Sequence, residues 1–383
     1  MPYHSHHVQP DSPRRSIDAA TWWQSLTLFG VSRAIIVVIG IIGVATFVDE
    51  HSLEVGGPLA LHFQTVWHKW DVEWYERIAL HGYGYQLDDV KGQAAAGFFP
   101  LYPMTLGLLL RVLPFVSFFW LGVVVSNLAT MAALALAIRS LTDSATHARR
   151  MLAITLTSAG SFYLSLPYTE GLFLLLVVIV MVLTRQRRFL WAAALTGLAA
   201  TTRVHGLALI AVPIIACRLD AETPLAVRFR RIGTMAVLFA IPIAIYMWHL
   251  ATVQGSAEAF IARQAMWDNP FPYPFRSIVG LFEHPRWVSG WLHGGFWALY
   301  VALLVRYWRR LPLGEALFCA GALLISTQQD TFHGIYRYIT PLVPLTLAIA
   351  ADRRELRQPL IIWNVIFGTI MILAFVTWNR LAV

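Results

Sequence analysis

Eleven stretches of this chain are apolar enough to lie within a lipid bilayer: 26–47, 117–138, 151–166, 170–184, 189–202, 206–217, 232–253, 291–305, 314–327, 338–350 and 359–378. A single crossing takes about 20 apolar residues. Several of these runs are shorter, and small polar groups break them where long loops would be expected. Composition points the same way: 57% of the 383 residues are hydrophobic and 13% charged, against about 25% charged in an average soluble domain. A water-soluble enzyme, a disordered chain and a fibrous protein are excluded. An all-α polytopic membrane protein is expected.

Lys and Arg together number 29 against 21 Asp and Glu, a formal charge of +8. In such a protein the excess reads as topogenic charge, with no nucleic-acid partner implied. The arginines cluster between apolar runs: Arg14 and Arg15; Arg139, Arg149 and Arg150; Arg185, Arg187 and Arg188; Arg218, Arg228, Arg230 and Arg231; Arg306, Arg309 and Arg310; Arg353, Arg354 and Arg357. The positive-inside rule puts all of them, and the N-terminus, in the cytoplasm. On the other side, 48–97 carries eight acidic groups against Lys69, Arg77 and Lys91, and 254–290 is charge-balanced.

Residues 98–116 are also apolar enough to cross, but a crossing there would invert every later basic connection. A re-entrant or in-plane helix over 98–113 resolves the conflict. The expected layout is a cytoplasmic tail (1–25), a transmembrane module (26–253) with a first outer loop (48–116), a second outer loop (254–290) and C-terminal transmembrane helices (291–383). Eleven spans leave the C-terminus outside. Cys217 and Cys319 fall in apolar runs, so neither a disulfide nor a cysteine metal site is expected. The first 21 residues lack a signal-peptide pattern, and His4, His6 and His7 read as part of a tail.

Four polar sites interrupt the apolar pattern on the expected outer face. The first outer loop holds Trp67-His68-Lys69-Trp70-Asp71-Val72-Glu73-Trp74-Tyr75-Glu76-Arg77-Ile78. Trp67, Trp70, Trp74 and Ile78 recur at helical spacing, with Lys69, Glu73, Glu76 and Arg77 opposite and Glu73–Arg77 at i+4. Gly82 and Gly84 should end that helix. It reads as an interfacial helix, with Asp71 at the edge of its aromatic stripe, facing the lipid–water boundary. The same periodicity fits an ordinary interfacial helix carrying a solvated aspartate.

The other sites are Pro167-Tyr168-Thr169-Glu170, Arg203-Val204-His205-Gly206, and 328–338 with His333 and Arg337. Glu170 is the only acidic residue between Asp143 and Asp220. Charges near hydrocarbon are costly unless they are paired or line a hydrated cavity. Each one taken singly could be a helix-packing ion pair.

Together these groups suit group transfer at a membrane surface. A carboxylate can take the proton of a hydroxyl nucleophile, and guanidinium groups grip phosphate oxygens bidentately. A sugar on a lipid phosphate carries its own leaving group, so one base and phosphate-stabilising cations suffice. Ion or proton coupling in a transporter or lipid flippase uses similar residues. That alternative lacks an internal repeat here and would lean on mid-span groups such as His249 and Glu315.

The blocks WDVEWYERIALHGYGY, GFFPLYP, SLPYTEGLFLLL, TRVHG and HGIYRYITPLVP occur in that order between Trp67 and Pro344. In this the chain resembles the PIG-V family, the GPI mannosyltransferase 2-like enzymes of glycosyltransferase family 76 within the GT-C superfamily. The chain looks like a prokaryotic member. The resemblance implies a GT-C-type fold, with in-plane helices in the first outer loop and a catalytic role for the 26–253 module. It implies inverting transfer of mannose from a polyprenyl-phosphate-mannose donor to a lipid-linked or cell-envelope glycan acceptor. Donors carrying another lipid-phosphate sugar are used elsewhere in the superfamily.

By the same resemblance, Asp71 would be the general base and Glu170 would orient the base or the acceptor. Arg203, His333 and Arg337 would meet the donor phosphate. RVHG stands where eukaryotic members have an R-S-N-G-like run, which leaves the part of His205 open. Trp70, Trp74, Tyr75, Tyr168 and His205 are the candidate substrate contacts. No cofactor or metal is expected. The implied location is the plasma membrane with the site on its outer face, or the endoplasmic reticulum in a eukaryote.

Overall fold

The computed structural model describes residues 19–47, 59–84, 95–264, 273–329, 332, 334–352 and 357–377. The N-terminal tail with its histidines, the centre of the second outer loop, and His333 lie outside them. Every regular element among the described residues is helical. The chain runs through α1 (Ala19–Phe47), α2 (Leu59–Trp67), α3 (Asp71–His81), α4 (Leu101–Val112), α5 (Phe118–Leu141) and α6 (Ala145–Thr157). It continues through α7 (Glu170–Arg185), α8 (Phe189–Ala200), α9 (Gly206–Leu209), α10 (Ala211–Arg218), α11 (Leu225–Gln254) and α12 (Ala259–Gln264). The last third holds α13 (Arg276–Glu283), α14 (Val288–Tyr307), α15 (Leu313–Ile325), α16 (Ile335–Ile339), α17 (Val343–Ala351) and α18 (Arg357–Val376).

Five helices are long and apolar enough to cross a membrane: α1, α5, α11, α14 with its extension to Arg310, and α18. Their outer faces carry exposed Ile35, Val38, Ile41, Val124, Leu128, Val237, Ile241, Trp248, Val305 and Ile366. That is the surface expected where lipid is the solvent. The fold is that of a helical membrane protein.

The remaining apolar runs fall on shorter helices. At about 1.5 Å per residue, the 12 residues of α4 or α8 reach about 18 Å, well short of a hydrocarbon core of about 30 Å. Residues 98–113 therefore hold a helix too short to cross, packed on α3 and α5. The short helices are joined at polar breaks: 158–169 between α6 and α7, 201–205 between α8 and α9, and, among the described residues, 326–329, 332 and 334 between α15 and α16. Non-helical backbone at membrane depth survives only where protein surrounds it or a cavity is lined by it.

These breaks gather at one end of the bundle and the basic connections at the other. Arg187 binds Asp220 and Glu222, Arg185 lies 3.6 Å from Glu315, and Arg310 lies 3.2 Å from Asp352, whose carboxylate also accepts the Tyr307 hydroxyl at 2.8 Å. Glu315 thus belongs to the basic end, away from the polar breaks. Helix α7 connects the two ends, with Glu170 first and Arg185 last.

Candidate functional site

The helix expected through Trp67–Ile78 is interrupted. Helix α2 stops at Trp67 and α3 starts at Asp71. Between them Trp70 takes φ 61° and ψ −124°, a backbone region that bulky residues enter only when their surroundings hold them there. The surroundings are specific. The Tyr168 hydroxyl donates to the Lys69 carbonyl at 2.9 Å, and Lys69 Nζ donates to the Val376 carbonyl at 2.5 Å. Burial pushes the Lys69 amine down to about 8. Trp67 is consequently separated from the α3 face and packs on α1, where a Cβ on Gly40 would stand 2.2 Å from its ring.

The break makes Asp71 the first residue of α3, where the helix dipole favours a carboxylate. Its side chain does not face the lipid–water boundary as the periodicity suggested. Asp71 Oδ2 receives Arg337 Nη2 at 2.9 Å. Arg337 Nε donates to Glu170 Oε1 at 2.6 Å, and Arg203 Nη1 meets the same oxygen at 2.6 Å. Arg203 also donates to Thr169 Oγ1 at 2.8 Å. Four residues from four separated segments form one chain of charges, Asp71–Arg337–Glu170–Arg203, with two anions and two cations.

Aromatic rings frame both guanidinium groups. Arg337 Cζ lies 4.6 Å from the ring centre of Tyr163 and 4.9 Å from that of Tyr168, while Arg203 Cζ lies 5.1 Å from Tyr338. Tyr338 also stacks on His205, with centroids 4.4 Å apart. Buried His205 places Nε2 3.0 Å from Ser326 Oγ, which donates to the Ala322 carbonyl at 2.9 Å. The serine proton being spent, Nε2 carries the imidazole proton and Nδ1 is left as an acceptor. Nδ1 is buried and has no hydrogen-bond partner among the described residues.

The other aromatic candidates are placed differently. Trp74 stacks on Phe98 at 5.7 Å beneath Arg77, which lies 5.1 Å from its ring; Glu76 binds His68 at 2.7 Å. Arg77 thus meets Trp74 and not Glu73. Tyr75 packs edge-on against Tyr102 and Tyr168. Tyr168 is fully buried, its ring under Arg337 and its hydroxyl on the Lys69 carbonyl. Tyr168 therefore supports the charge chain directly and Tyr75 through Tyr168, while Trp74 packs with Ile78, Phe98 and Tyr246. Only Trp70 among the aromatic candidates remains part-exposed, beside Asp71.

Sequence reasoning missed two contributors. Tyr163 sits in an apolar run that carries no signal. Arg33, in α1, is the one ionisable residue of 26–47, and that isolation was the available signal. Its Nη1 donates to the Ser161 carbonyl at 2.7 Å and to Ser165 Oγ at 3.0 Å, pinning the segment that presents Tyr163 to Arg337. On its other side that segment meets α16: the Ser158 and Thr340 hydroxyls are 2.8 Å apart, and a Cβ on Gly160 would stand 2.5 Å from the Tyr336 carbonyl oxygen.

No three His, Cys, Asp or Glu side chains converge among the described residues in a way that could hold a metal ion. No family model matches the chain, and neither a curated protein nor a solved structure matches it.

Proposed function

We propose that this chain is a membrane glycosyltransferase of the GT-C type. It moves mannose from a polyprenyl-phosphate-mannose donor to a lipid-linked or cell-envelope glycan. One observation carries the reading: Asp71, Glu170, Arg203 and Arg337, from four separate blocks of the PIG-V-like sequence, meet in one charge chain with Asp71 at its least buried member. Those are 21% exposed for Asp71 against 0% for Glu170.

In this reading Asp71 takes the proton from an acceptor hydroxyl. The hydroxyl oxygen attacks the anomeric carbon, the bond from that carbon to the phosphate oxygen breaks, and polyprenyl phosphate departs with the electron pair. A single displacement inverts the anomeric centre. Arg337 and Arg203 face the phosphate charge, a preorganised cation pair of the kind that stabilises a departing anion. Glu170 holds the two guanidinium groups and is a positioning residue. The acceptor nitrogen of His205, buried beside Arg203, suits a sugar hydroxyl. With the arginine-rich connections on the cytoplasmic side, the reading puts this site on the outer face of the plasma membrane.

The test is transfer from synthetic polyprenyl-phosphate mannose by purified protein with a lipid extract as acceptor. Wild type should form labelled glycolipid, and Asp71→Asn should lose a factor of about 10²–10⁴, the usual worth of a general base. Equal rates would remove Asp71 from the mechanism. A folded wild type inactive with mannose and with other lipid-phosphate sugars would sink the assignment.

A further inference from the structure

The four charges of the cluster sum to zero, so an incoming phosphate finds no spare cation there. It must take one from a carboxylate, and the two carboxylates are not equally able to yield. Glu170 is fully buried, and its Oε1 accepts from both Arg337 and Arg203 at 2.6 Å. Removing one partner of a buried pair leaves an uncompensated charge and costs about 3–5 kcal/mol. Asp71 is 21% exposed and held at a single 2.9 Å contact.

We propose that the Asp71–Arg337 ion pair is a latch, opened when an anionic lipid phosphate competes with Asp71 for Arg337. This rests on reading the cluster as the site of a lipid-phosphate-sugar transferase. Arg337 is built for the exchange. Its Nε end stays on Glu170, and its faces stay between Tyr163 and Tyr168. The guanidinium therefore keeps its place while its Nη2 end changes partner. A guanidinium fork prefers two parallel bonds to a phosphate over one contact to a carboxylate. The carboxylate that leaves is the one the reaction needs as a base. Until the donor binds, Asp71 is engaged as a counter-ion, so the base becomes available only once its substrate has arrived.

The consequence runs against the usual expectation for a catalytic aspartate: its removal should strengthen donor binding. Farnesyl phosphate, with farnesol as the neutral control, is titrated calorimetrically into purified full-length wild type, Asp71→Asn, Asp71→Ala and Arg337→Gln. Each protein is first shown by thermal melting to be folded. Both Asp71 variants should bind farnesyl phosphate at least about fivefold tighter than wild type, the lower end of ordinary coupling between linked sites. Farnesol binding should be unchanged. Arg337→Gln should lose the preference for phosphate over alcohol. If wild type prefers farnesyl phosphate but neither Asp71 variant binds it tighter, the latch is wrong and the donor reading stands. If no protein distinguishes farnesyl phosphate from farnesol, both fall.

Discussion

Glu170 and Asp71 are both carboxylates paired with Arg337, yet they should behave oppositely when neutralised. Glu170→Gln leaves two buried guanidinium groups without their shared anion and should lower stability by about 3–5 kcal/mol. Asp71→Asn removes a part-exposed contact whose worth is about 1 kcal/mol or less. Thermal melting of the two variants in one detergent checks the contrast, and equal losses would show that the network is shared evenly. The sequence made both carboxylates visible, because an acidic residue amid apolar runs is expensive. It could not rank them, since rank depends on which arginine arrives from 33 or 167 residues away. Tyr163 was invisible for the same reason: a tyrosine in an apolar run looks like core until a guanidinium lies over it.

At the level of helices, the position of Glu170 depends on how closely α7 approaches α5. A Cβ on Gly171 would stand 2.6 Å from the Ser126 carbonyl oxygen and 2.9 Å from Thr130 Oγ1. Backbone cannot step aside as a flexible side chain does. Gly171→Ala should therefore cost about 1–3 kcal/mol through overpacking and reduce transfer by displacing the start of α7. A Cβ on Gly233 in α11 would have nothing within 4 Å, so Gly233→Ala should be neutral or gain up to about 1 kcal/mol from helix propensity. Melting temperatures of the pair decide it. The short helices were also read as apolar runs from the sequence, but the interruption at Lys69–Trp70 was not. Helical periodicity continues straight through it, and the break is imposed by Tyr168 and by α18, both distant in the chain.

For the whole molecule, the two ends of the bundle should face opposite sides of the membrane. In a background lacking Cys217 and Cys319, single cysteines replace Glu222, Arg309, Gly84 and Ser256, all exposed. An impermeant maleimide added to intact cells should label the cysteines at 84 and 256, whereas those at 222 and 309 should react only after permeabilisation. Labelling of all four from one side would refute the layout, and with it a site on the outer face. Helix α11 makes the experiment sensitive, because it runs from the basic end to the first outer loop, where Gln254 donates to the Tyr83 carbonyl.

The sequence by itself determined that this chain lives in a membrane, that its arginines cluster between apolar runs, and where polar residues interrupt those runs. Each is a local property, set by the length of an apolar stretch against the thickness of hydrocarbon, or by the cost of a lone charge within it. Only the tertiary structure decided that the interruptions meet, that Asp71 turns inward to Arg337, and that Glu170 shares its oxygen between two guanidinium groups. Ion pairing in a low-dielectric interior acts over a few ångströms of space regardless of separation along the chain. Its outcome is therefore fixed by packing, to which periodicity is blind.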